Sequence, residues 1–263
     1  MGTDTPWCST PNNIRGEWWN LTAEQFSDVM GEALVKKARE LSADLVVHCG
    51  DFNGWNDAAE YAYGADFMDR LGCPWIAVPG NHDTWEPAPG TAGNPFTDPG
   101  LRSHAMDIGG LRFLLFDTAS WLDRNGVWAP LLNRKRYDRG EIEGMGASPE
   151  NFAWLEREID ALDRPAVLIT HAPIEHSPVY PVKTLPHGGK PDGPDTPPAV
   201  FVPDMMGIER IRELLRGNRF VRACFAGHWH LNDAVVSDGT LHVITGALRE
   251  YPYDIRLVER NGD

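Results

Sequence analysis

Five short apolar segments, each followed by polar residues, are the feature that most constrains what this chain can fold into. The segments cover residues 44–49, 75–78, 111–116, 166–170 and 221–226. Apolar runs of this length, bounded by glycine, proline or polar residues, are typical of β-strands. Stretches with helical periodicity separate several of them. Such an alternation of strands and helices predicts an α/β layered domain.

Helices are predicted from their start signals and from apolar residues at helical spacing. Residues 22–25 form a capping box, and apolar residues follow at positions typical of one helix face. Serine followed by proline at 148–149 marks the start of another helix, since proline is favoured in the first turn. Further helices are predicted at 57–71 and 208–215.

The chain is predicted to form one domain over residues 1–263. Its 42% hydrophobic and 24% charged residues are ordinary for a globular protein, and its length suits one sizeable core. A long Pro- and Gly-rich loop covers about residues 172–206, a length that is common in lids or substrate loops. Residues 234–258 alternate in hydropathy like antiparallel strands.

The net charge and the length of the apolar runs limit which partners and which cellular location we expect. The formal net charge of −14 argues against binding nucleic-acid backbones, which requires lysine and arginine. It is compatible with a small phosphorylated substrate, because bound metal cations can invert the field locally. No apolar run could span a bilayer and no signal-peptide pattern is visible, so we expect no membrane association and a cytoplasmic location. Assembly into a homo-oligomer remains a possibility that the sequence leaves open.

Polar residues with the chemistry of metal ligands follow four of the apolar segments. They are Asp51 after the first segment, Asn81, His82 and Asp83 after the second, His171 after the fourth, and His228 and His230 after the fifth. Ligands of open α/β sheets bind beyond the carboxyl ends of the strands, so we expect these groups at one rim. Each alone has an ordinary alternative, such as a turn aspartate or a histidine satisfied in the core. Their combination favours a functional site.

The residue types fit a site for divalent metal ions. Imidazole suits zinc and iron, whereas carboxylate and amide oxygens suit magnesium and manganese, so these four metals stay open. Two cations about 3.5–4 Å apart can hold both the attacking and the leaving oxygen of a displacement at phosphorus. Such a pair needs a bridging carboxylate, for which Asp51 is the natural candidate.

The combination resembles the signature of calcineurin-like metallophosphoesterases. Its pieces are Gly50-Asp51, Gly80-Asn81-His82-Asp83, His171 and Gly227-His228-x-His230. Each piece is short, but together they are highly specific, and the resemblance covers most of the chain. It implies an α/β fold with a four-layer αββα sandwich, mixed sheets, and a metal site at the C-terminal ends of the strands. It also implies hydrolysis of a phosphomonoester or phosphodiester of a small molecule.

The resemblance further implies a role for each residue. Two divalent metal ions (Mn, Fe, Zn or Mg) are expected, and Asp51 would bridge them. The second metal would be completed by Asn81, His171 and His228, and the first by Asp4 and His230. Asp51, Asn81 and His82 would be the catalytic residues, with a metal-bound hydroxide as the nucleophile. His82 would protonate or stabilise the leaving oxygen, a role worth about 10²–10⁴ in rate.

The N-terminal segment departs from the family pattern. The family supplies the first metal from a strand ending in Asp-x-His. Here Asp4 fits the aspartate, but Pro6, which has no side-chain donor, stands at the histidine position. Three explanations stay open: the chain starts late and lacks a strand, the first metal is depleted or absent, or another side chain substitutes. The candidates for substitution are Cys8, His48, His104, His176 and His187.

This departure leaves two alternative functions, because a lost ligand would weaken the first metal and open a coordination position. One is a one-metal or atypical-metal enzyme that performs other chemistry on the same scaffold. The other is a non-catalytic binding relative, against which the intact pair of Asn81 and His82 counts. Near the expected site, Trp55 and Trp85 are candidate pocket walls, and Asp117 is expected to brace the ligand loops.

Overall fold

The computed structural model describes residues 18–54, 56–177, 205–229, 231–248 and 255–260, with side chains from residue 28 onward. The helices in these ranges are α1 (Trp18–Glu40), α2 (Ala58–Asp69), α3 (Arg134–Asp138), α4 (Pro149–Asp160) and α5 (Ile208–Leu215), with short 3-10 helices at Pro95–Thr97 and Pro99–Leu101. The strands are β1 (Val46–His48), β2 (Trp75–Ala77), β3 (His104–Ile108), β4 (Leu111–Leu115), β5 (Ser120–Asp123), β6 (Trp128–Ala129), β7 (Ile142–Gly146), β8 (Ala166–Ile169), β9 (Val221–Ala226), β10 (Asp233–Ser237) and β11 (Thr240–Ile244). Among the described residues, no helix is both long and apolar enough to cross a membrane.

Two helices begin where the sequence signals predict. Asp57 caps α2 and accepts hydrogen bonds from two backbone N–H groups of the first turn, and Ser148 caps α4 and accepts one. The start of α1 differs from the prediction, because this helix begins at Trp18 and the capping box at residues 22–25 lies inside it. Helical structure therefore extends further toward the N-terminus than the cap chemistry indicates.

The strands form three sheets in the described part of the chain. The largest has six strands in the order β10-β11-β9-β8-β4-β3. Its central neighbours β11–β9, β9–β8 and β8–β4 are parallel, whereas the outer pairs β10–β11 and β4–β3 are antiparallel. This sheet is therefore mixed, as predicted. Strands β1 and β2 form a parallel pair, and β6-β5-β7 form a small antiparallel sheet that the sequence analysis missed.

Side chains of the six-stranded sheet alternate between two buried faces. In β8, Val167 and Ile169 join an apolar cluster that includes Ile76 of β2. The intervening Leu168 joins a different cluster, which includes Leu155 of α4 and Ile211 of α5. One face of this sheet is therefore covered by the β1–β2 sheet and the other by helices.

The outer face of the β1–β2 sheet is covered by α1 and α2. Leu34 and Phe67 of these helices pack with Val46 and Ala77 of the strands in a third apolar cluster. The layers therefore follow the order helices, sheet, sheet, helices. This order confirms the four-layer αββα sandwich.

The last predicted segment agrees with the structure only in part. Strands β10 and β11 are antiparallel, but β11 also pairs in parallel with β9, and residues 255–260 form no strand. The prediction of alternating antiparallel strands as far as residue 258 is wrong at its end, because alternation reports a buried face without specifying a partner strand. The single domain over residues 1–263 stays a prediction. The described ends of the loop at about 172–206 contain neither helix nor strand.

Candidate metal centre

Four polar side chains follow the carboxyl ends of four parallel strands. In the β1–β2 sheet, Asp51 follows β1 and Asn81 follows β2. In the six-stranded sheet, His171 follows β8 and His228 follows β9. The two sheets face each other, so the carboxyl ends of their parallel strands form a common rim where ligands of α/β proteins bind.

Three of these side chains form a group that could hold a metal ion. The ligand atoms of Asp51, His171 and His228 all lie within 4.8 Å of one another. Oδ2 of Asp51 is 3.4 Å from Nε2 of His171, and Oδ1 of Asn81 is 3.0 Å from the same nitrogen. The ring centroids of His171 and His228 are 4.6 Å apart. The structure thus brings four of the predicted ligands together.

The ring of His171 is oriented by a backbone carbonyl. Its Nδ1 donates to the carbonyl oxygen of Cys49 at 2.8 Å, so in the neutral ring the lone pair lies on Nε2. That nitrogen faces the side-chain oxygens of Asp51 and Asn81. A lone pair and two oxygens at these distances repel one another unless a cation or a proton lies between them. The donor set therefore fits a divalent cation, and the bond to Cys49 is the kind that orients metal-binding histidines.

The backbone near these side chains is strained. Asp51 has φ of 55° and His228 has φ of 63°, in the left-handed region that residues other than glycine rarely adopt. The preceding Gly50 has φ of 93°, and a Cβ atom there would lie 2.5 Å from Nδ1 of His171. Strain of about 1–3 kcal/mol per residue persists only where surrounding structure fixes it, and it is frequent at functional sites.

Asp83 ties the loop after β1 to the loop after β2. Its carboxylate is fully buried and accepts hydrogen bonds from the backbone N–H groups of Phe52, Asn53 and Gly80, at 3.0, 2.9 and 2.8 Å. Burial and the negative charge of Asp51 raise the pKa of Asp83, and the three N–H groups oppose that rise. In the sequence, Asp83 is identified only within its motif, where an ordinary turn aspartate fits equally well, so no local signal indicates this bracing role.

His82 contacts the candidate metal centre through its backbone. Its N–H donates to Oδ1 of Asp51 at 2.8 Å. The half-buried ring is 3.1 Å from the carbonyl oxygen of Gly54 through Nδ1, which must therefore donate. With Nδ1 engaged in this way, Nε2 is the nitrogen that can gain or lose a proton. The arrangement suits proton transfer next to a bound cation.

Gly80→Ala should lower thermal stability and metal affinity together. A Cβ atom at Gly80 would lie 2.1 Å from Oδ1 and 2.3 Å from the backbone nitrogen of Asp51, so the loop that carries Asp51 must shift. Overpacking of this kind typically costs about 1–3 kcal/mol, and displacing a ligand should weaken metal binding by about tenfold or more. Thermal melting and metal titration measure the two effects.

Gly100→Ala is the matched control for that substitution. A Cβ atom at Gly100 would have its nearest contact at 3.3 Å, from Oδ1 of Asp98, and we expect neither stability nor metal affinity to change appreciably. Unchanged metal affinity in Gly80→Ala would contradict the idea that the centre requires this close approach of the two loops.

Several predicted residues lie outside the described part of the chain. These are Asp4 and His230, predicted to bind the first metal, together with Pro6, Cys8, Trp55 and His187. The roles assigned to them therefore stay predictions.

The described candidates for the missing histidine lie in other surroundings. His48 is buried in β1 with its ring 4.9 Å from Phe52, and burial lowers its pKa to about 3. His104 lies in β3, and the ring of His176 is 4.9 Å from that of Trp229. Within the residues that the structure describes, none of these three belongs to the ligand group.

Trp85 and Asp117 have structural contacts. The ring of Trp85 lies 6.2 Å from Trp121 and 5.5 Å from Tyr137, which favours packing of the small sheet over a pocket wall. Asp117 forms a buried ion pair with Arg102, with Oδ2 2.8 Å from Nε. The neighbouring Thr118 accepts the backbone N–H of His171 at 3.3 Å, so Asp117 braces the loop that supports a ligand.

Comparisons with known proteins agree with this fold. Residues 23–232 match the calcineurin-like phosphoesterase family. A probable cyclic nucleotide phosphodiesterase from Synechococcus sp. is 26% identical over 199 residues. That match covers 75% of this chain and 62% of the relative, so the chain spans less than two thirds of the relative's length.

A solved structure shows the same fold. The crystal structure of a dimetal phosphatase from Danio rerio is similar with a TM-score of 0.56 and 15% sequence identity, over 88% of this chain and 81% of that chain. At that identity the likeness concerns the fold alone. The match over residues 23–232, which is most of the sequence, establishes that the chain belongs to the calcineurin-like phosphoesterase family.

Proposed function

We propose that this protein hydrolyses a phosphomonoester or phosphodiester of a small molecule, with a divalent cation bound by Asp51, Asn81, His171 and His228. The observation that carries the proposal is the convergence of one carboxylate and two imidazoles within 4.8 Å, delivered by strands of two different sheets. A binding protein or scaffold has no need of such a group beside a histidine that can exchange a proton.

The residues of this centre have separable roles in the proposed reaction. A bound cation would supply Lewis-acid polarisation of the phosphoryl group and an ionised water as the nucleophile. Asp51 provides negative charge to hold the cation, and its Oδ1 also accepts the N–H of His82. His82 protonates the leaving oxygen from Nε2, while the carbonyl of Gly54 holds Nδ1. One carboxylate thus links cation binding to the position of the proton donor.

The proposal includes a further cation at the first metal site of the family pattern, for which Asp4 and His230 would be ligands and which would share Asp51. Because Pro6 replaces a ligand of the family pattern, this first metal should bind more weakly than the cation held by His171 and His228. Metal analysis after dialysis distinguishes a dinuclear centre from a one-metal enzyme. Two equivalents per chain support the dinuclear centre, and one redox-active equivalent supports the alternative of other chemistry on the same scaffold.

The substrate class can be narrowed in two steps. The relative's name makes cyclic nucleotides the first physiological diesters to test. The formal net charge of −14 disfavours long polyanions, so small esters are preferred to nucleic acids.

Metal removal should abolish the activity, and this experiment tests the proposal. Protein reconstituted separately with Mn, Fe, Zn or Mg should hydrolyse nitrophenyl phosphate, its bis ester or a cyclic nucleotide, and chelation should reduce the rate by about a hundredfold or more. Re-addition of the metal should restore the rate. A protein that binds metal stoichiometrically and hydrolyses none of these esters would contradict the proposed function.

A further inference from the structure

The segment that carries Arg256 contacts both halves of the sandwich. The preceding Ile255 packs against the cluster formed by α1, α2, β1 and β2. Arg256 itself donates from Nη2 to Oδ1 of Asn232 at 3.1 Å, and Asn232 directly precedes β10 of the six-stranded sheet. Two consecutive residues therefore contact the half of the sandwich that carries Asp51 and the sheet that carries His228.

Asn232 connects Arg256 to the rim that carries His228. Strands β9 and β11 are parallel and pair at Ala226 and Ile244, so the residues after them lie at the same end of the sheet. His228 follows β9 by two residues, and Gly246 follows β11 by two residues. The N–H of Gly246 donates to Oδ1 of Asn232 at 3.1 Å. The guanidinium of Arg256 is thus held at the end of the six-stranded sheet that also carries His228.

The guanidinium of Arg256 has unused donors. Its side chain is half-buried, and Nε is enclosed by protein without a hydrogen-bond acceptor. Asn232 is its single hydrogen-bond partner, and no carboxylate pairs with it among the residues that the structure describes. Arg102 and Arg136, by contrast, both pair with aspartates. The enclosed Nε is out of reach of a ligand, but the Nη hydrogens that Asn232 does not use have no acceptor among the described residues and can donate to an incoming anion.

We propose that Arg256 binds phosphate oxygens of the substrate at the edge of the metal centre. This inference rests on the proposed function, which it extends from the cation to recognition of the ester. A guanidinium presents N–H groups in a planar fork that matches two phosphate oxygens, and it keeps its charge at any physiological pH. It would hold the phosphoryl group in place and favour the more highly charged monoesters over diesters.

Binding of inorganic phosphate tests the assignment independently of turnover. Calorimetric titration of the metal-loaded protein should show about tenfold weaker phosphate binding in Arg256→Gln, as expected for one charge-assisted contact. Arg256→Lys should recover part of the affinity, because the charge is kept and the fork is lost. Arg260→Gln is the matched control, since Arg260 lies on the same segment and donates to the carbonyl oxygen of Gly109; its phosphate affinity should equal that of wild type.

Kinetics and a second ligand complete the test. For nitrophenyl phosphate, KM of Arg256→Gln should rise by about tenfold while kcat changes by less than about threefold, because the lost contact is made in both the ground and transition states. Binding of methylenebisphosphonate shows whether Arg256 contacts the reacting phosphoryl group or a second phosphate of the ligand. A loss seen with inorganic phosphate assigns Arg256 to the reacting phosphoryl group, and a loss confined to the bisphosphonate assigns it to a second phosphate.

The outcomes separate this inference from the proposed function. Arg256→Gln with wild-type KM and wild-type affinity for both phosphates would overturn the inference. So would a parallel loss of kcat and bound metal, because Arg256 would then only support the loop of Asn232. Wild-type protein that binds phosphate through Arg256 but hydrolyses no ester would overturn the proposed function and leave the anion site standing.

Discussion

Asp51→Asn should lower phosphoesterase activity by at least about a thousandfold and release the bound cation. A cation stabilises the transition state by several kcal/mol, and each 1.36 kcal/mol is about tenfold in rate. The amide is nearly isosteric and its oxygen can still accept the N–H of His82, so the change removes the charge and leaves the loop in place. Metal analysis and turnover of nitrophenyl phosphate measure the two losses.

The same substitution should not destabilise the metal-free protein. Asp51 is 4% exposed and its negative charge raises the pKa of the neighbouring Asp83, so two buried carboxylates oppose each other when no cation is bound. Removing one of the two charges relieves that repulsion. We therefore expect the metal-free variant to melt at or above the temperature of the metal-free wild type, as is common when a functional group is replaced.

Asp117→Asn is the matched control, because Asp117 is also a buried aspartate that follows a strand. It breaks the buried ion pair with Arg102, a loss of about 3–5 kcal/mol that should lower the melting temperature by on the order of 10 °C. The folded variant should keep its metal. Retention of a full complement of metal by Asp51→Asn, with loss of metal from Asp117→Asn, would reverse the two assigned roles.

The layers of the fold and the position of the metal ligands could be predicted because both depend on short local patterns in the sequence. A short apolar run with a polar residue after it, as at Asp51 or His171, specifies a buried strand and the chemistry at its end at the same time. Parallel strands then deliver these groups to one place wherever they lie in the sheet order. Prediction of the site therefore did not require the topology, which local patterns do not determine.

What the sequence missed depends on contacts between distant residues. Asp83 braces a loop about thirty positions earlier in the chain, and nothing in its neighbours distinguishes this from a turn. Arg256 meets Asn232 over a separation of 24 positions in the chain. Strands β5 and β7 are short and contain polar or glycine residues, so β-propensity does not predict them and their pairing with neighbouring strands determines them.

His82→Ala should lower kcat by about 10²–10⁴ while the protein keeps its metal. The ring is held at Nδ1 by the carbonyl of Gly54, and the backbone of His82, which donates to Asp51, is unchanged by the substitution. The variant therefore removes the proton donor and leaves the cation ligands in place. Steady-state kinetics and metal analysis on the same preparation test both parts.

Comparison of two esters with different leaving groups tests whether the function lost in His82→Ala is proton donation. An ester that releases nitrophenolate needs little protonation, whereas one that releases an alcohol needs a full proton transfer. In His82→Ala, kcat should therefore fall by about 10² for the nitrophenyl ester and by about 10⁴ for the alkyl ester. His104→Ala, which removes another imidazole from β3, should leave both rates unchanged. An equal loss for both esters would mean that His82 positions the phosphate, because a contact made to the phosphoryl group does not depend on the basicity of the departing oxygen.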